Sequence, residues 1–136
     1  MSIGQIQVLV VENDDVNAQV ARTMLERLGC RVDTASNGAE AVNLFRKEAY
    51  DLILMAWQMP LMDGLEATAR IRAMPRGRST PIVGTSARIG RLECMAAGMN
   101  DLMPKPFQLE SLKLQLSKWT SWGKNVQTER PCSCDR

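Results

Sequence analysis

Five short segments of this chain have the length and hydrophobic pattern of β-strands. They are residues 7–11 (QVLVV), 31–35 (RVDTA), 51–55 (DLILM), 81–86 (PIVGTS) and the start of 101–107 (DLMPKPF). A continuous apolar run such as 7–11 or 51–55 is typical of a strand that is covered on both faces. The alternating pattern of residues 31–35 instead predicts a strand nearer the edge of the sheet.

Segments with helical periodicity separate these strands. Their apolar positions are Val16, Val20, Met24, Leu25 and Leu28; Ala41, Val42 and Phe45; Leu65, Thr68 and Ile71; residues 91–97; and Leu109, Leu112, Leu116 and Trp119. Asp14 or Asp15 can cap the first helix and Gly29 ends it, while Asn37 opens the second and Gly98 ends the fourth. Most apolar residues of the first helix are predicted to be core, but the helix and the loops at the strand ends are also candidates for a surface that docks a partner, with Val16, Met24 and Arg22 on the helix.

Five strands alternating with five helices predict an α/β fold, with a parallel sheet and helices on both faces. A chain of 136 residues is long enough for one domain with a substantial core. We predict a domain over residues 1–122 and a flexible tail over 123–136, because no hydrophobic pattern continues after Trp122. Residues 75–81 (PRGRSTP) are predicted to form a basic loop.

The composition excludes several classes of function. The net charge is +2 and the basic residues are scattered, which gives no indication of a nucleic-acid partner. No apolar run is long enough to span a membrane, and the N-terminus does not resemble a signal peptide, so we expect a cytoplasmic protein. The chain has no histidine, which excludes histidine-based nucleophile activation and metal ligation.

The four cysteines do not predict a metal site. Cys30 and Cys94 lie in periodic segments and are expected to be small core residues. Cys132 and Cys134 lie in the polar tail, where two thiols without histidine fall short of a tetrahedral ligand set. We therefore favour a flexible tail over a metal site there.

The residues that could bind a ligand or take part in a reaction lie at the ends of the strands. In open parallel sheets, ligands bind at the carboxyl ends of the strands. Here those ends carry Glu12, Asn13 and Asp14; Ala56; Ser86; and Lys105. An acid, a hydroxyl and an amine at one edge suit phosphate and a divalent cation. The reactive carboxylate that would receive a phosphoryl group is missing, because Ala56 offers only a methyl group.

Several motifs make the chain recognisable as similar to a known family. The string LILMxxQMPxMDGLEATxxIR is followed in order by PIVxxSA, AAGMND and KPF. Over about residues 6–119 the chain resembles response regulator receiver domains, especially those of hybrid sensor kinases. The resemblance implies a flavodoxin-like (βα)5 fold. It also implies transfer of a phosphoryl group from a histidine kinase or a histidine phosphotransfer protein to an aspartate of the receiver, with Mg²⁺ bound beside it.

The site residues match the family only in part. Glu12 stands at the first acid, Ser86 at the hydroxyl and Lys105 at the lysine of the family pattern. Ala56 stands where the resemblance places the phosphoacceptor aspartate. Two departures affect metal binding, because Asn13 and Asp14 appear in swapped order and a neutral amide binds Mg²⁺ less strongly than a carboxylate. We expect Mg²⁺ binding to be weak or absent, with Asp14 either turned inward or capping the first helix.

Two more departures lie away from the acceptor position. Leu102 stands where many relatives carry an aromatic switch residue, and it lacks the ring that reports phosphorylation. The segment from Ser86 to Gly98 is a few residues shorter than in hybrid-type relatives. Two further expectations concern neighbouring charges: Asp63 is predicted to cap the third helix, and Lys105 to form an ion pair with Glu12.

Taken together, the departures favour an acceptor-less receiver. We predict no enzymatic activity, no required cofactor, and phosphorylation-independent binding to a histidine kinase, a phosphotransfer protein or another receiver, without nucleic acid or membrane as partner. One alternative is an ordinary phosphoacceptor receiver in which Ala56 is an engineered Asp→Ala substitution, or in which Asp14 or Asp63 compensates. A small-molecule site is a third alternative, but no glycine-rich phosphate loop supports it.

Overall fold

The structure is a computed structural model that describes residues 5–57, 59–85, 91–103, 105 and 107–122. The strands are β1 (Gln7–Val11), β2 (Arg31–Ala35), β3 (Leu52–Ala56), β4 (Ile82–Thr85) and β5 (Asp101–Met103). The helices are α1 (Asp15–Arg27), α2 (Gly38–Lys47), α3 (Gly64–Arg72), α4 (Arg91–Ala97) and α5 (Leu109–Trp119). The predicted elements are therefore confirmed in kind and order, with boundaries that differ by one or two residues.

The strands form one parallel sheet in the order β2-β1-β3-β4-β5. The alternating strand β2 lies at one edge, as its pattern predicts, whereas every residue of β3 at the centre is buried. Because all five strands are parallel, their carboxyl ends meet at the same edge of the sheet. The predicted flavodoxin-like architecture is confirmed.

Alternate residues of each central strand point into two separate core clusters, one on each face of the sheet. One cluster packs strand residues against α2 and α3, with Leu9, Ile53, Phe45 and Ile71 among its members. The other packs Val8, Val10, Leu52, Leu54 and Val83 against Leu25 of α1 and Leu112 and Leu116 of α5. Each fully buried aliphatic side chain contributes roughly 1.5–3 kcal/mol to stability.

Cys30 belongs to the second of these clusters and is buried, which confirms its predicted core role. Burial, and to a smaller extent the nearby carboxylate of Asp51, raises the pKa of the Cys30 thiol to about 11, so the thiol stays protonated at neutral pH. The side chain of Cys94 and both tail cysteines, Cys132 and Cys134, lie outside the described residues.

One prediction about local structure was incomplete. The segment predicted as a basic loop contains a single turn of 3-10 helix, Arg76–Arg78. The guanidinium of Arg76 joins this turn to α2, since it lies 5.1 Å from the centre of the Phe45 ring and donates to the carbonyl of Arg46 at 3.2 Å. In α1, Met24, Leu25 and Leu28 pack in or against the second core cluster, as predicted for most of its apolar residues, whereas Val16 and Val20 are 69% and 38% exposed.

The packing of the domain continues through Trp122. The indole Nε1 of Trp122 donates a hydrogen bond of 2.8 Å to the carbonyl of Leu28, and its ring packs against the second core cluster. This contact joins the end of the described chain to the turn after α1. Among the helices that the structure describes, none is long and apolar enough to cross a membrane.

Candidate functional site at the carboxyl ends of the strands

Ala56 ends the central strand β3 and is buried, with 2% of its surface exposed. It pairs in register with Thr85 of β4, while Met55 before it pairs with Val11 of β1. The loop after β3 folds back onto this point, because the amide of Gly64 donates to the carbonyl of Trp57 at 2.6 Å. A Cβ atom on Gly64 would lie 1.9 Å from the carbonyl oxygen of Ala56.

Glu12 follows β1 directly and lies in the same cleft, 3% exposed. One of its carboxylate oxygens, Oε1, lies 2.5 Å from Nζ of Lys105, an ion pair that confirms the sequence prediction. The other oxygen, Oε2, accepts the backbone N–H of Asp14 at 3.2 Å. No well-directed hydrogen bond to Oε1 comes from the described residues, so the contact with Lys105 is mainly an attraction between charges.

Asp14 caps α1. Its Oδ1 accepts the N–H of Val16 at 2.9 Å, its Oδ2 accepts from the side chain of Asn17 at 3.3 Å, and the residue is exposed. The capping interpretation is therefore confirmed, and the alternative that Asp14 turns inward is wrong. Asn13 is also exposed. Within the described ranges, no group of three or more acidic, histidine or cysteine residues could hold a metal ion.

Asp63 also acts as a helix cap, as predicted. Its Oδ1 accepts the N–H of Glu66 at 2.9 Å at the start of α3, an interaction that stabilises a helix by about 1 kcal/mol. The predicted hydroxyl of the site, Ser86, lies outside the described residues. The described part of the cleft therefore holds Ala56, Glu12 and Lys105, while Asp14 and Asp63 are turned to the two helix starts beside it.

The loop between β3 and α3 has a feature that the sequence did not predict. Leu61 has a positive φ of 70° and is 86% exposed. This backbone conformation is unfavourable for a bulky residue, so no local sequence signal indicates it. The next residue, Met62, accepts the backbone N–H of Gly38 at 3.0 Å, which fixes the loop against the start of α2.

Leu102, the predicted switch position, lies in β5 opposite Gly84. Its side chain is half-buried and packs against the cluster on the α2 and α3 face of the sheet. The adjacent Asp101 is buried and pairs with Lys118 at 2.6 Å. Leu102 therefore has a packed position without the hydroxyl or ring of an aromatic switch.

A hollow of about 360 Å³ opens beside α1. It is lined by Gln19, Val20, Thr23, Met24, Arg27 and Leu109. Together with the exposed Val16, these residues form what we call the α1 surface. Val16 and Met24 were predicted to belong to a docking surface on this helix, but helical spacing could not show that Val20 is exposed or that a hollow lies beside it.

Comparison with known proteins identifies the family. The family model for the response regulator receiver domain matches residues 8–117. The chain belongs to the response regulator receiver family. Among its curated relatives, hybrid signal transduction histidine kinase B of Dictyostelium discoideum is 38% identical over 126 residues, and the aerobic respiration control sensor protein ArcB of Escherichia coli is 34% identical over 122 residues. These matches cover 82% and 88% of this receiver but only 6% and 16% of those relatives.

Solved structures of receiver domains are similar as well. The receiver domain of sensor histidine kinase PA1611 from Pseudomonas aeruginosa, which holds a magnesium ion in its active-site cleft, is 39% identical, with a TM-score of 0.80 over 85% of this chain and 97% of its own. The Saccharomyces cerevisiae receiver domain of Ssk1, crystallised with the histidine phosphotransfer protein Ypd1, is 26% identical, with a TM-score of 0.78 over 88% of this chain and 91% of that one.

The described residues of this receiver do not fit a magnesium ion well. Mg²⁺ is held in proteins mainly by carboxylates. The described part of the cleft presents one carboxylate, Glu12, and Lys105 already neutralises it. Asp14 is engaged at the helix cap, and Ala56 has no side-chain oxygen. A divalent cation would therefore meet one carboxylate that is already paired, whereas Mg²⁺ binding needs several carboxylates that are free.

Proposed function

We propose that this receiver domain is a phosphorylation-independent binding module of two-component signalling, which docks a histidine kinase or a histidine phosphotransfer protein. The observation that carries the proposal is the buried methyl group of Ala56 at the end of the central strand. A methyl group has no lone pair with which to attack phosphorus. At the position where receivers of this family accept the phosphoryl group, this chain has no nucleophile.

The neighbouring carboxylates are poor substitutes for the missing aspartate. Asp14 and Asp63 each accept a backbone N–H at a helix start, so each is oriented by its helix rather than toward the cleft. Glu12 is buried and paired with Lys105. A carboxylate that is paired and hydrogen-bonded is a weaker nucleophile than a free one, because attack requires those interactions to be broken.

The α1 surface supports a docking role. Val16 and Val20 expose apolar side chains on a helix next to the cleft, and the hollow beside them is lined by Met24 and Leu109. A partner that presents an apolar helix could bury these side chains. The similar Ssk1 receiver was crystallised with a histidine phosphotransfer protein. We infer the same class of partner, without transfer of a phosphoryl group and without a required metal ion.

Binding experiments with purified proteins test this proposal. The receiver is titrated with histidine phosphotransfer proteins and kinase dimerisation domains from the same organism, with and without acetyl phosphate and Mg²⁺. We expect binding to at least one of them, with a Kd that stays the same after treatment with acetyl phosphate. Binding that appears only after this treatment, or no binding to any member of the set, contradicts the proposal.

A matched pair of variants locates the docking surface. Val20→Glu places a charge in the centre of the α1 surface and is expected to weaken binding about tenfold or more. Leu114→Glu is the control, because Leu114 is also an exposed apolar residue, 61% exposed, but lies on α5 away from this surface. Equal weakening by both variants, or weakening by Leu114→Glu alone, contradicts docking through α1.

A further inference from the structure

We infer that the ammonium group of Lys105 takes the place of a divalent metal ion in the cleft. It neutralises the carboxylate of Glu12, so the stability of the receiver does not depend on divalent metal ions. This inference rests on the proposed function, since a cleft that never holds a phosphoryl group does not need a metal ion. It concerns how the cleft is stabilised without a magnesium ion, which the similar PA1611 receiver domain coordinates in its own cleft.

The burial of Glu12 makes a cation necessary. Only 2% of its side-chain surface is exposed, and an ionised carboxylate in such a place is costly unless a partner compensates its charge. The backbone N–H of Asp14, at 3.2 Å, is longer than a strong charge-assisted hydrogen bond. The ammonium of Lys105 at 2.5 Å is therefore the main compensating group among the described residues.

The chain holds Lys105 in place. Met103 at the end of β5 and Phe107 just beyond are both buried, so the backbone is anchored two residues before and two residues after Lys105. The lysine side chain itself is only 22% exposed. An ammonium that is positioned by packing on both sides loses less freedom on pairing than one on a mobile surface side chain.

Charge counting then argues against a second cation. One carboxylate and one ammonium sum to zero, whereas an added divalent ion would leave two surplus positive charges in a partly buried cleft. Asn13 is neutral and Ala56 is apolar, so neither supplies the negative charge that would offset the addition. A metal ion could bind here only by displacing Lys105 from Glu12.

Thermal unfolding in EDTA and in millimolar MgCl₂ tests the inference. We expect the same Tm for the unmodified chain in both solutions. Lys105→Met keeps the length of the side chain but removes its charge, and in EDTA it should lower the Tm by roughly 5–10 °C, because Glu12 loses its partner. In MgCl₂ this variant should recover part of that loss, since the freed carboxylate becomes available to the metal ion.

Two control variants make the result specific. Glu12→Gln combined with Lys105→Met removes both charges and should unfold at a higher temperature than Lys105→Met alone, with no response to MgCl₂. Lys113→Met breaks an exposed pair with Glu110, whose nitrogen and oxygen are 3.5 Å apart, and should leave the Tm nearly unchanged. Should Lys105→Met fail to fold even in MgCl₂, a folded double variant still supports the ion-pair account, and an unfolded double variant overturns it.

Two further results also overturn the inference. One is a saturable rise in the Tm of the unmodified chain with MgCl₂, and the other is a Lys105→Met variant as stable as the unmodified chain in EDTA. Failure here differs from failure of the proposed function. A chain that binds Mg²⁺ but gains no phosphoryl group refutes only the role of Lys105, whereas a phosphorylated chain with an unchanged Tm in MgCl₂ refutes only the binding-module proposal.

Discussion

The charged residues around Ala56 take part in structural interactions. Glu12 and Lys105 form a direct ion pair across the cleft, and Asp14 and Asp63 serve as helix caps. Each of these charged groups therefore has a structural partner within the receiver. The described part of the cleft is therefore stabilised by its own side chains.

Gly64 packs closely against the backbone of Ala56. Its Cα lies so close to β3 that a Cβ atom would meet the Ala56 carbonyl oxygen at 1.9 Å and the carbonyl carbon at 2.9 Å. Gly64→Ala should therefore push the loop away from the strand and lower the free energy of unfolding by about 3 kcal/mol. Urea denaturation measures this loss.

Gly29→Ala is the control for that experiment. Gly29 has a φ of +90°, but no atom lies within 4 Å of its added Cβ. Its substitution should cost only the backbone strain of about 1–2 kcal/mol. If Gly64→Ala destabilises no more than Gly29→Ala, the close approach between the loop and Ala56 is not a constraint on the fold.

Individual residues differ in how far the sequence could predict them. The caps at Asn37 and Asp63 depend on local sequence and were predicted, as was the pair of Glu12 and Lys105, because parallel strands bring their ends together. Val16 was predicted as a docking residue, but the exposure of Val20 was not predicted. Helical spacing shows which residues share a face, but not whether a neighbouring element covers it.

At the scale of elements, Arg72 links the end of α3 to four other parts of the fold. Its guanidinium donates to the carbonyl of Gly98 after α4 at 2.8 Å, to the carbonyl of Thr80 before β4 at 2.7 Å, and to the side chain of Asn100 before β5 at 2.7 Å. It also donates to the carbonyl of Gly77 in the 3-10 turn. Desolvation lowers the pKa of Arg72, but an arginine remains charged at neutral pH.

Arg72→Met should lower the free energy of unfolding by about 2–4 kcal/mol, because it leaves several backbone carbonyls without their donor. Arg70→Met is the matched control. Arg70 forms an exposed pair with Glu66 at 3.0 Å on the same helix, and its loss should cost less than about 0.5 kcal/mol. Both values come from urea denaturation, and equal effects of the two substitutions contradict a linking role for Arg72.

The sequence predicted the elements themselves better than the contacts between them. Apolar runs and capping residues indicated all five strands and all five helices, because these signals are local. The 3-10 turn at Arg76–Arg78 was missed because glycine and proline favour a loop locally, while the Arg76 contact with Phe45 joins residues far apart in the chain. The contacts of Arg72 with Gly98 and Asn100 were not predicted for the same reason, because these residues are also far apart in the chain.

At the scale of the whole molecule, the packing of the core is independent of the chemical nature of residue 56. The two core clusters lie on opposite faces of the sheet and consist of apolar side chains, so they do not depend on an aspartate at position 56. The proposed loss of the acceptor is therefore compatible with an unchanged core and an unchanged α1 surface. The parallel sheet and its cleft could be predicted from the pattern of elements and the family motifs. Which face of each helix is covered by a neighbouring element could not be predicted in this way, because it depends on how all the elements pack together.

Intact-mass measurement after incubation with acetyl phosphate and Mg²⁺ tests the central claim most directly, with Ala56→Asp treated in parallel. We predict that the unmodified chain gains no mass. A gain by Ala56→Asp alone would show that the surrounding machinery still works and would favour a recent or engineered loss of the aspartate, whereas no gain by either would mean that the whole site has decayed. A gain of one phosphoryl group by the unmodified chain would contradict the claim, and peptide mapping would then locate it, first at Asp14 and Asp63.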